Sequence, residues 1–309
     1  MTGARAIIGE RVRGFFGLSR MTHSVLDIAH PAVGAILVLG SLPTPRTALI
    51  GLLAAFSGFT AVFGLNDVMD CGVDCEKMSK YNKGKECFDI DSLGFRHPLA
   101  VGKLPFAAAL SWVIFWGVSA LVLAFLLNPW CAALMGAAVG LEIGYCRLLR
   151  ITHWKAFLSG LMVSVGGLAG IWAVSTTPPL PFVLLFMGWA FAWEVGCRNI
   201  PNDWSDLEED THMSVRTLPV RFGRVVSSRI SFSLLCLTVI CSLLFPLAAP
   251  MRHPLIYLPA ALAIGVIMLV IPALRWVRGQ TNEAALHFFN RACFYPLVVF
   301  AAAAVLAAA

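Results

Sequence analysis

The sequence predicts an all-α, polytopic membrane helical bundle of about nine transmembrane helices. Of the 309 residues, 59% are hydrophobic and only 13% are charged, whereas soluble domains carry roughly 25% charged residues. Several apolar runs are long enough for helices that cross a bilayer, which takes about 20 residues. The runs are continuous, unlike the alternating strands of a membrane β-barrel. A bundle of membrane-spanning helices therefore accounts for the composition.

Nine apolar segments are predicted to span the membrane. In chain order they cover residues 24–41, 47–66, 104–127, 129–146, 155–175, 179–200, 226–247, 254–275 and 285–308. We expect the whole chain, residues 1–309, to form one transmembrane domain. Residues 1–20 mix Arg with Ile, Val and Phe, which is typical of an interfacial helix or of a floppy basic tail. The same segment lacks the apolar core and cleavage site of a signal peptide.

The distribution of basic residues predicts the orientation. Most of the 23 Lys and Arg residues fall in the N-terminal segment and in the loops expected on the same side of the membrane. Because cytoplasmic loops carry an excess of Lys and Arg, the N-terminus is predicted to be cytoplasmic. The chain is predicted to be an integral protein of the cell (inner) membrane. The net charge of +6 reflects this asymmetry. No basic stripe with interleaved aromatic residues indicates a nucleic-acid partner.

Two segments on the cytoplasmic side share one acidic pattern. "NDVMDCGVD" (residues 66–74) ends the second span, "NDWSDLEED" (residues 202–210) ends the sixth, and both read Asn-Asp-x-x-Asp-x-x-x-Asp. If each continues as helix, its Asp residues at i, i+3 and i+7 lie on one face. Such carboxylates repel one another without a cation, and hard oxygen ligands suit Mg²⁺ bound together with substrate phosphates. The predicted Mg²⁺ ligands are Asn66, Asp67, Asp70, Asp74, Asn202, Asp203, Asp206 and Asp210, of which the six Asp residues are the predicted catalytic residues.

Basic residues surround both motifs. Arg96 and Lys103 follow the first motif, Arg198 precedes the second, and Arg150 and Lys155 lie in the loop between the fourth and fifth spans. Each of them alone is explained as a positive-inside anchor. Together with Mg²⁺ they form a set suited to a diphosphate, whose oxygens Arg and Lys bind.

Polar residues inside the predicted spans are functional hypotheses by default. In the first span His23, Asp27 and His30 lie at i, i+4 and i+7 on one helical face, with Arg20 just before them. This row suits a hydroxyl or carboxylate acceptor, or a hydrogen-bonded contact between helices. Glu194 in the sixth span either faces a cavity, where it would help to deprotonate an acceptor, or packs against a neighbouring helix.

The chain resembles the UbiA superfamily of intramembrane prenyltransferases. The resemblance rests on the two aspartate motifs, the nine spans, "RHPLAVGKLP" after the first motif and "RTLPVRFG" after the second. It implies that Mg²⁺ ions at both motifs bind an isoprenoid diphosphate and that an acceptor lies in a cavity of the bundle. Tyr145 and Arg150 resemble the family's Tyr and basic residue between spans four and five. The sequence departs from the pattern at His97, where Arg is usual, and Arg150 lies five rather than four positions after Tyr145.

The expected reaction is transfer of a (poly)prenyl group from its diphosphate to an aromatic acceptor, such as a hydroxybenzoate- or naphthoate-type quinone precursor. Cations would stabilise the departing diphosphate, and a dry cavity would protect the carbocation from water. The expected partners are the diphosphate donor, an aromatic or lipid acceptor and membrane lipid. The predicted substrate-binding residues are Asn66, Asn202, Arg96, Lys103, Tyr145, Arg150, Arg198, Arg20 and His23.

Other functions stay open at this point. Within the same family the acceptor is alternatively a lipid, a tetrapyrrole, or a polyprenyl phosphate that receives a phosphoribosyl group. From another class, a transporter of divalent cations or organic phosphate would use the two motifs as gates. Transporter sites usually lie at the membrane midplane, whereas both motifs are predicted at the cytoplasmic rim, which favours an enzyme.

Overall fold

The computed structural model describes residues 2–80, 90 and 94–309, with side chains from residue 9 onward. Within these ranges the chain is helical and contains no strand. Most of the Lys- and Cys-rich loop that follows the first aspartate motif lies outside the described residues.

Fifteen α-helices and two π-helical segments follow one another along the described ranges. They are α1 (Thr2–Leu18), α2 (Met21–Asp27), α3 (Ala29–Leu39), α4 (Pro45–Lys80), α5 (Phe106–Leu127), α6 (Pro129–Leu148), α7 (Lys155–Trp172), α8 (Leu180–Trp193), the first π-helix (Glu194–Asn199), α9 (Ile200–Ser205), α10 (Leu207–His212), α11 (Leu218–Ala248), α12 (Pro254–Gly265), the second π-helix (Val266–Val270), α13 (Ile271–Gly279), α14 (Asn282–Cys293) and α15 (Tyr295–Ala308).

Nine helical stretches in the described part of the chain are long and apolar enough to cross a membrane. This confirms the all-α membrane bundle. The stretches lie close to the predicted spans, but α4 runs on to Lys80 and α11 begins already at Leu218. The first aspartate motif therefore lies in a continuous helix, as the spacing of its acids predicts. Residues 2–18 form a helix as well, whereas the predicted interfacial position of that helix stays a prediction.

Each π-helix is followed directly by an Ile-Pro pair. Pro201 and Pro272 are the second residues of α9 and α13. Because proline has no N–H to donate to the preceding turn, we attribute the widened turn before each one to the missing hydrogen bond. π-Turns are frequent at functional sites. In the sixth span the π-helix leads into the second aspartate motif and buries Glu194, Arg198 and Asn199.

Buried aromatic side chains pack around the sixth span. Trp189 and Trp193 are fully buried, and the Trp189 ring packs against Phe245 and Tyr295. The indole N–H of Trp193 donates to the carbonyl oxygen of Ala292 at 3.0 Å, and that of Trp189 donates to the Tyr295 hydroxyl at 3.3 Å. Since buried indole groups need such partners, these contacts fix the span that carries the second motif.

Candidate active site

Both aspartate motifs line one cavity of about 730 Å³. Small-molecule sites usually have volumes of roughly 300–1,000 Å³. The cavity wall includes all eight predicted metal ligands, namely Asn66, Asp67, Asp70, Asp74, Asn202, Asp203, Asp206 and Asp210. The fold thus brings together two acidic segments that are far apart in the sequence.

The first motif faces His97. Asp67 and Asp74 are buried on α4, and Nδ1 of His97 lies 2.8 Å from Oδ2 of Asp74 and 3.4 Å from Oδ1 of Asp67. Burial disfavours a charged imidazole, but the carboxylates of Asp67 and Asp74 outweigh it and raise the pKa of His97. His97 thus pairs with both carboxylates of the first motif.

The second motif does not repeat the geometry of the first, so the expectation of a second continuous helix was wrong. The chain leaves helical geometry at Asp206, between α9 and α10. The break lets acids of the motif surround Lys77 of α4, whose Nζ lies 3.2 Å from Asp206, 3.3 Å from Glu209 and 3.9 Å from Asp210. The physical reason is the backbone of Asp206, whose φ of −95° and ψ of 7° lie outside the α-helical region.

The pKa values of the second motif follow from this arrangement. Burial acts to raise the pKa of Asp206, but the Lys77 ammonium and the Arg96 guanidinium outweigh it and lower that pKa. Burial and the nearby Asp203 carboxylate raise the pKa of Asp210 to about 7. The motif thus combines a carboxylate that is firmly ionised with one that is easily protonated.

Lys155 occupies the position beside Tyr145 where Arg150 was predicted. Its Nζ lies 3.3 Å from the Tyr145 hydroxyl and 3.3 Å from Oδ1 of Asp203. Arg150 instead donates to Glu76 at 2.7 Å and lies outside the cavity lining. Arg150 lies in the turn between the two helices, because α6 ends at Leu148 and α7 begins at Lys155. The residue that reaches Tyr145 is therefore the first residue of α7. The structure therefore gives the predicted role of Arg150 no support.

The other predicted substrate-binding residues fall into two groups. Lys103 lies outside the cavity lining, with its Nζ 3.3 Å from Glu10 and 5.3 Å from the centre of the Phe95 ring. The residues that do line the cavity are Arg20, His23, Asn66, Arg96, Tyr145, Arg198 and Asn202.

A buried charged network forms one wall of the cavity. Nη1 of Arg198 donates to both carboxylate oxygens of Asp27, at 3.0 and 3.2 Å, and lies 3.2 Å from Oε2 of Glu194. The Ser159 hydroxyl donates to Oε1 of Glu194 at 2.6 Å. Arg198 is thus shared between two carboxylates that come from different spans.

The predicted row of polar residues in the first span divides between this network and the core. His23 lines the cavity, and Asp27 binds Arg198. His30 is fully buried, with its ring nitrogens 2.9 Å from the carbonyl oxygen of Asp27 and 3.1 Å from that of Val163. His30 therefore links helices, whereas His23 and Asp27 belong to the site.

Three buried polar atoms of the π-helix lack a hydrogen-bond partner among the described residues. They are Oε2 of Glu194, Nε of Arg198 and Oδ1 of Asn199, and all three side chains line the cavity. A buried polar atom without a partner costs roughly 1–3 kcal/mol. Their grouping in one turn therefore indicates a site for a polar ligand group.

The donor set of the two motifs fits Mg²⁺. Carboxylate and amide oxygens are the ligands that this ion prefers. Oδ2 of Asp67 and Oδ2 of Asp203 are both buried without a hydrogen-bond partner in the described part of the chain. Because a buried, unpaired carboxylate oxygen is unfavourable, a divalent cation in contact with each motif would remove that cost.

The comparison with known proteins decides the family. Residues 30–298 match the family model of the UbiA prenyltransferase family. The chain belongs to the UbiA prenyltransferase family. The resemblance is thereby confirmed, and the chain is an integral membrane prenyltransferase, so the transporter alternative is not retained.

Individual relatives show how far the likeness extends. The "Digeranylgeranylglyceryl phosphate synthase" of Thermococcus sibiricus is 28% identical over 237 residues, covering 76% of this chain and 77% of the relative. A solved UbiA homologue from Aeropyrum pernix has a TM-score of 0.73 at 18% identity, covering 92% of this chain and 97% of the homologue. A UbiA homologue from Archaeoglobus fulgidus, bound to GPP and Mg²⁺, has a TM-score of 0.68 at 20% identity, covering 94% and 99%. The two solved structures establish the shared UbiA fold.

Sequence reasoning gave two cations of this UbiA family site no role in it. Lys155 was predicted only as one member of the set of cations near the motifs and not as a substrate-binding residue, and Lys77 was given no role at the site. A signal for Lys77 is nevertheless present, since it follows Asp70 by seven positions and Asp74 by three, on the same face of α4. Its partners belong to the other motif, which no local pattern indicates.

Helix α1 packs against the loop that carries Arg96 and His97. A Cβ added at Gly17 would overlap the backbone of Phe95. The Arg13 guanidinium lies over the Phe95 ring, 4.8 Å from its centre. Because the contact at Gly17 is between backbones, it leaves no room for a side chain. Helix α1 therefore sets the position of the loop that carries Arg96 and His97.

We expect Gly17→Ala to lower kcat/KM for prenyl transfer about tenfold or more, because a shift of about 1 Å in a positioning group is enough for such losses. The measurement is prenyl transfer by purified protein in detergent. Gly9→Ala is the matched control on the same helix, since an added Cβ there meets open space. Equal activity of the two variants would show that α1 does not position the loop.

Proposed function

We propose that this family member binds an isoprenoid diphosphate together with Mg²⁺ between the two aspartate motifs and transfers its prenyl group to a hydroxyl group of a lipid acceptor. Prenyl transfer as such follows from the family. The Archaeoglobus homologue bound to GPP and Mg²⁺ supports the donor and the metal. The name of the Thermococcus relative supports a lipid rather than an aromatic acceptor. The arrangement of Lys and Arg supports a cytoplasmic mouth of the cavity.

The diphosphate is held between acids and cations of the chain. Mg²⁺ supplies positive charge that neutralises the diphosphate oxygens. Lys155 and Arg96 line the same cavity and act as direct partners of the remaining oxygens. The apolar side chains of Phe63, Met162 and Phe289 also line the cavity, and the prenyl chain lies against them.

The observation that carries the acceptor assignment is the group of unpartnered atoms in the π-helix. One donor, Nε of Arg198, and two acceptors, on Glu194 and Asn199, are buried without a hydrogen-bond partner in the described structure. A hydroxyl group both donates and accepts, so it satisfies such a set. Arg198 already faces the carboxylates of Asp27 and Glu194, which makes this wall unfavourable for the carboxylate of a hydroxybenzoate.

In the proposed step, the allylic C–O bond to the diphosphate breaks, and its electron pair leaves with the diphosphate. A new C–O bond forms from the acceptor oxygen to the same carbon, and the hydroxyl proton passes to Oε2 of Glu194. The Ser159 hydroxyl, which donates to the other oxygen of Glu194, holds the carboxylate in place.

A panel of acceptors tests this proposal. Purified protein receives geranylgeranyl diphosphate, Mg²⁺ and one of three acceptors: a monogeranylgeranyl ether of glyceryl phosphate, 4-hydroxybenzoate or 1,4-dihydroxy-2-naphthoate. We expect a prenylated product by mass spectrometry, with release of diphosphate, from the glyceryl ether alone. A product from either aromatic compound, and none from the ether, would overturn the lipid assignment.

We expect Glu194→Gln to lower kcat about 100-fold, the size typical of a lost general base. The KM for the diphosphate should stay within about twofold, because Glu194 lies on the acceptor wall. Steady-state kinetics with the glyceryl ether measures both constants. Glu208→Gln is the control, since the Glu208 side chain is 74% exposed. A Glu194→Gln enzyme with unchanged kcat would contradict the proton transfer.

A further inference from the structure

We propose that His97 is a nitrogen ligand of the metal at the first aspartate motif, so that this motif prefers a divalent transition metal over Mg²⁺. The proposal rests on the proposed function in one respect, that a metal binds in this cavity. It goes further by assigning the ligand set as Asp67, Asp74 and His97. The chemical class of ion follows from that set.

The geometry of the three side chains is that of a metal site. Among the described residues, Asp67, Asp74 and His97 form a group whose ligand atoms all lie within 4.8 Å of one another. Nδ1 of His97 is 2.8 Å from Oδ2 of Asp74 and 3.4 Å from Oδ1 of Asp67. Neighbouring ligands of an octahedral ion with bonds of about 2.1 Å are about 3 Å apart. The distances from Nδ1 of His97 to the two carboxylate oxygens thus lie near the edge length of such a coordination sphere.

Hydrogen bonding does not account for the close approach. Nδ1 of His97 is buried and makes no hydrogen bond of acceptable angle with any described residue, although Asp74 is only 2.8 Å away. Oδ2 of Asp67 is also buried without a partner there, in a residue that is 4% exposed. Two side chains of one small group thus each keep a buried atom without a hydrogen-bond partner, which indicates a missing common partner. A cation bound by His97 Nδ1 and the Asp67 carboxylate supplies it.

The backbone holds His97 in an unfavourable conformation at this position. Its φ is 49°, in the left-handed region that non-glycine residues rarely adopt. Such residues cluster at functional sites, where the surrounding structure maintains them. Here the preceding residues 94 and 95 are packed on α1 at Gly17, and Arg96 reaches the second motif at Asp206. Two successive residues of this loop therefore contact different motifs: Arg96 lies at the second motif and His97 at the first.

The ligand chemistry decides which ion is favoured. Mg²⁺ takes oxygen ligands almost exclusively, whereas imidazole nitrogen suits first-row transition metals, with affinity rising from Mn²⁺ through Co²⁺. A set of two carboxylates and one imidazole therefore favours Mn²⁺ and Co²⁺ over Mg²⁺. The second motif offers only oxygen ligands and lacks this preference.

The direct test is pulsed EPR on Mn²⁺ bound to the purified full-length chain in detergent, without any diphosphate. We expect a ¹⁴N coupling of a directly bound nitrogen in the wild type and its loss in His97→Gln. His253→Gln is the control, because His253 directly precedes α12 and does not line this cavity. A wild-type spectrum without ¹⁴N coupling, a coupling that survives in His97→Gln, or no bound Mn²⁺ at 1 mM would overturn the proposal.

A competition experiment measures the preference itself. We expect the ratio of Co²⁺ to Mg²⁺ affinity to fall at least tenfold in His97→Gln and to stay unchanged in His253→Gln. An unchanged ratio in His97→Gln would overturn the proposal even if that variant were inactive. Since neither experiment uses a prenyl substrate, nitrogen ligation with no prenyl transfer would count against the proposed function alone.

Discussion

Asp67→Asn and Asp203→Asn are each expected to lower kcat for prenyl transfer by about 1,000-fold. Each change removes the charge of a carboxylate that lines the cavity and has one oxygen buried without a partner among the described residues. Removing a single preorganised group that stabilises transition-state charge typically costs 10²–10³ in kcat, and in the proposed function these carboxylates also hold the ion that offsets the diphosphate charge. The measurement is Mg²⁺-dependent release of diphosphate together with formation of the prenylated product.

The control for these variants lies inside the second motif. Glu208 belongs to the same acidic run, but its side chain is 74% exposed and its only described ion pair, with Arg224, is 3.6 Å long. We expect Glu208→Gln to keep activity within about twofold, since exposed ion pairs contribute little. If Asp67→Asn or Asp203→Asn retained full Mg²⁺-dependent transfer, the aspartate motifs would not be the diphosphate site.

The fold was predictable because long apolar runs of sequence determine which segments form membrane-spanning helices. Nine apolar runs determine nine spans regardless of which side chains touch, since every backbone group in the membrane must be satisfied within its own helix. The spacing of Asp67, Asp70 and Asp74 likewise predicted a helical face, because a continuous helix fixes which positions share a side. Local periodicity was sufficient for both.

The second motif shows where local periodicity fails. Its acids have the same spacing as those of the first motif, yet the helix breaks at Asp206 and a π-helix precedes it. The partner that these carboxylates surround is Lys77, a residue of another span. The same spacing of acids therefore occurs in two different backbone geometries, and spacing within one motif carries no signal for a partner that another span supplies.

The acceptor was the least predictable feature because several distant segments build its wall. Asp27 comes from α2, Ser159 from α7, and Glu194 and Arg198 from the π-helix. In the sequence each of these polar residues is equally consistent with packing between helices. What distinguishes a binding wall from structural hydrogen bonds is that Ser159, Glu194 and Arg198 line one cavity. Three atoms of the π-helix also lack a hydrogen-bond partner in the described part of the chain.

Lys155→Gln is expected to lower kcat/KM for the diphosphate donor about 100-fold and to destabilise the protein. Its side chain is 3% exposed and pairs with Asp203, so the change leaves a buried carboxylate without its counter-ion, which costs about 3 kcal/mol. The same ammonium is the cation beside Tyr145; it lines the cavity and, in the proposed function, stabilises the departing diphosphate. Donor kinetics and thermal unfolding in detergent measure the two effects separately.

Arg150→Gln is the matched control for Lys155, and the pair decides which cation serves the diphosphate. Arg150 is 45% exposed and bound to Glu76, so its replacement should change kcat/KM by less than about twofold. The opposite order, a large loss in Arg150→Gln with Lys155→Gln near wild type, would mean that the loop between α6 and α7 rearranges when the diphosphate binds. Lys155→Arg separates charge from shape, because it keeps the charge beside Asp203 but replaces a compact ammonium with a larger, planar guanidinium. If charge is what matters, Lys155→Arg should recover stability fully and activity in part.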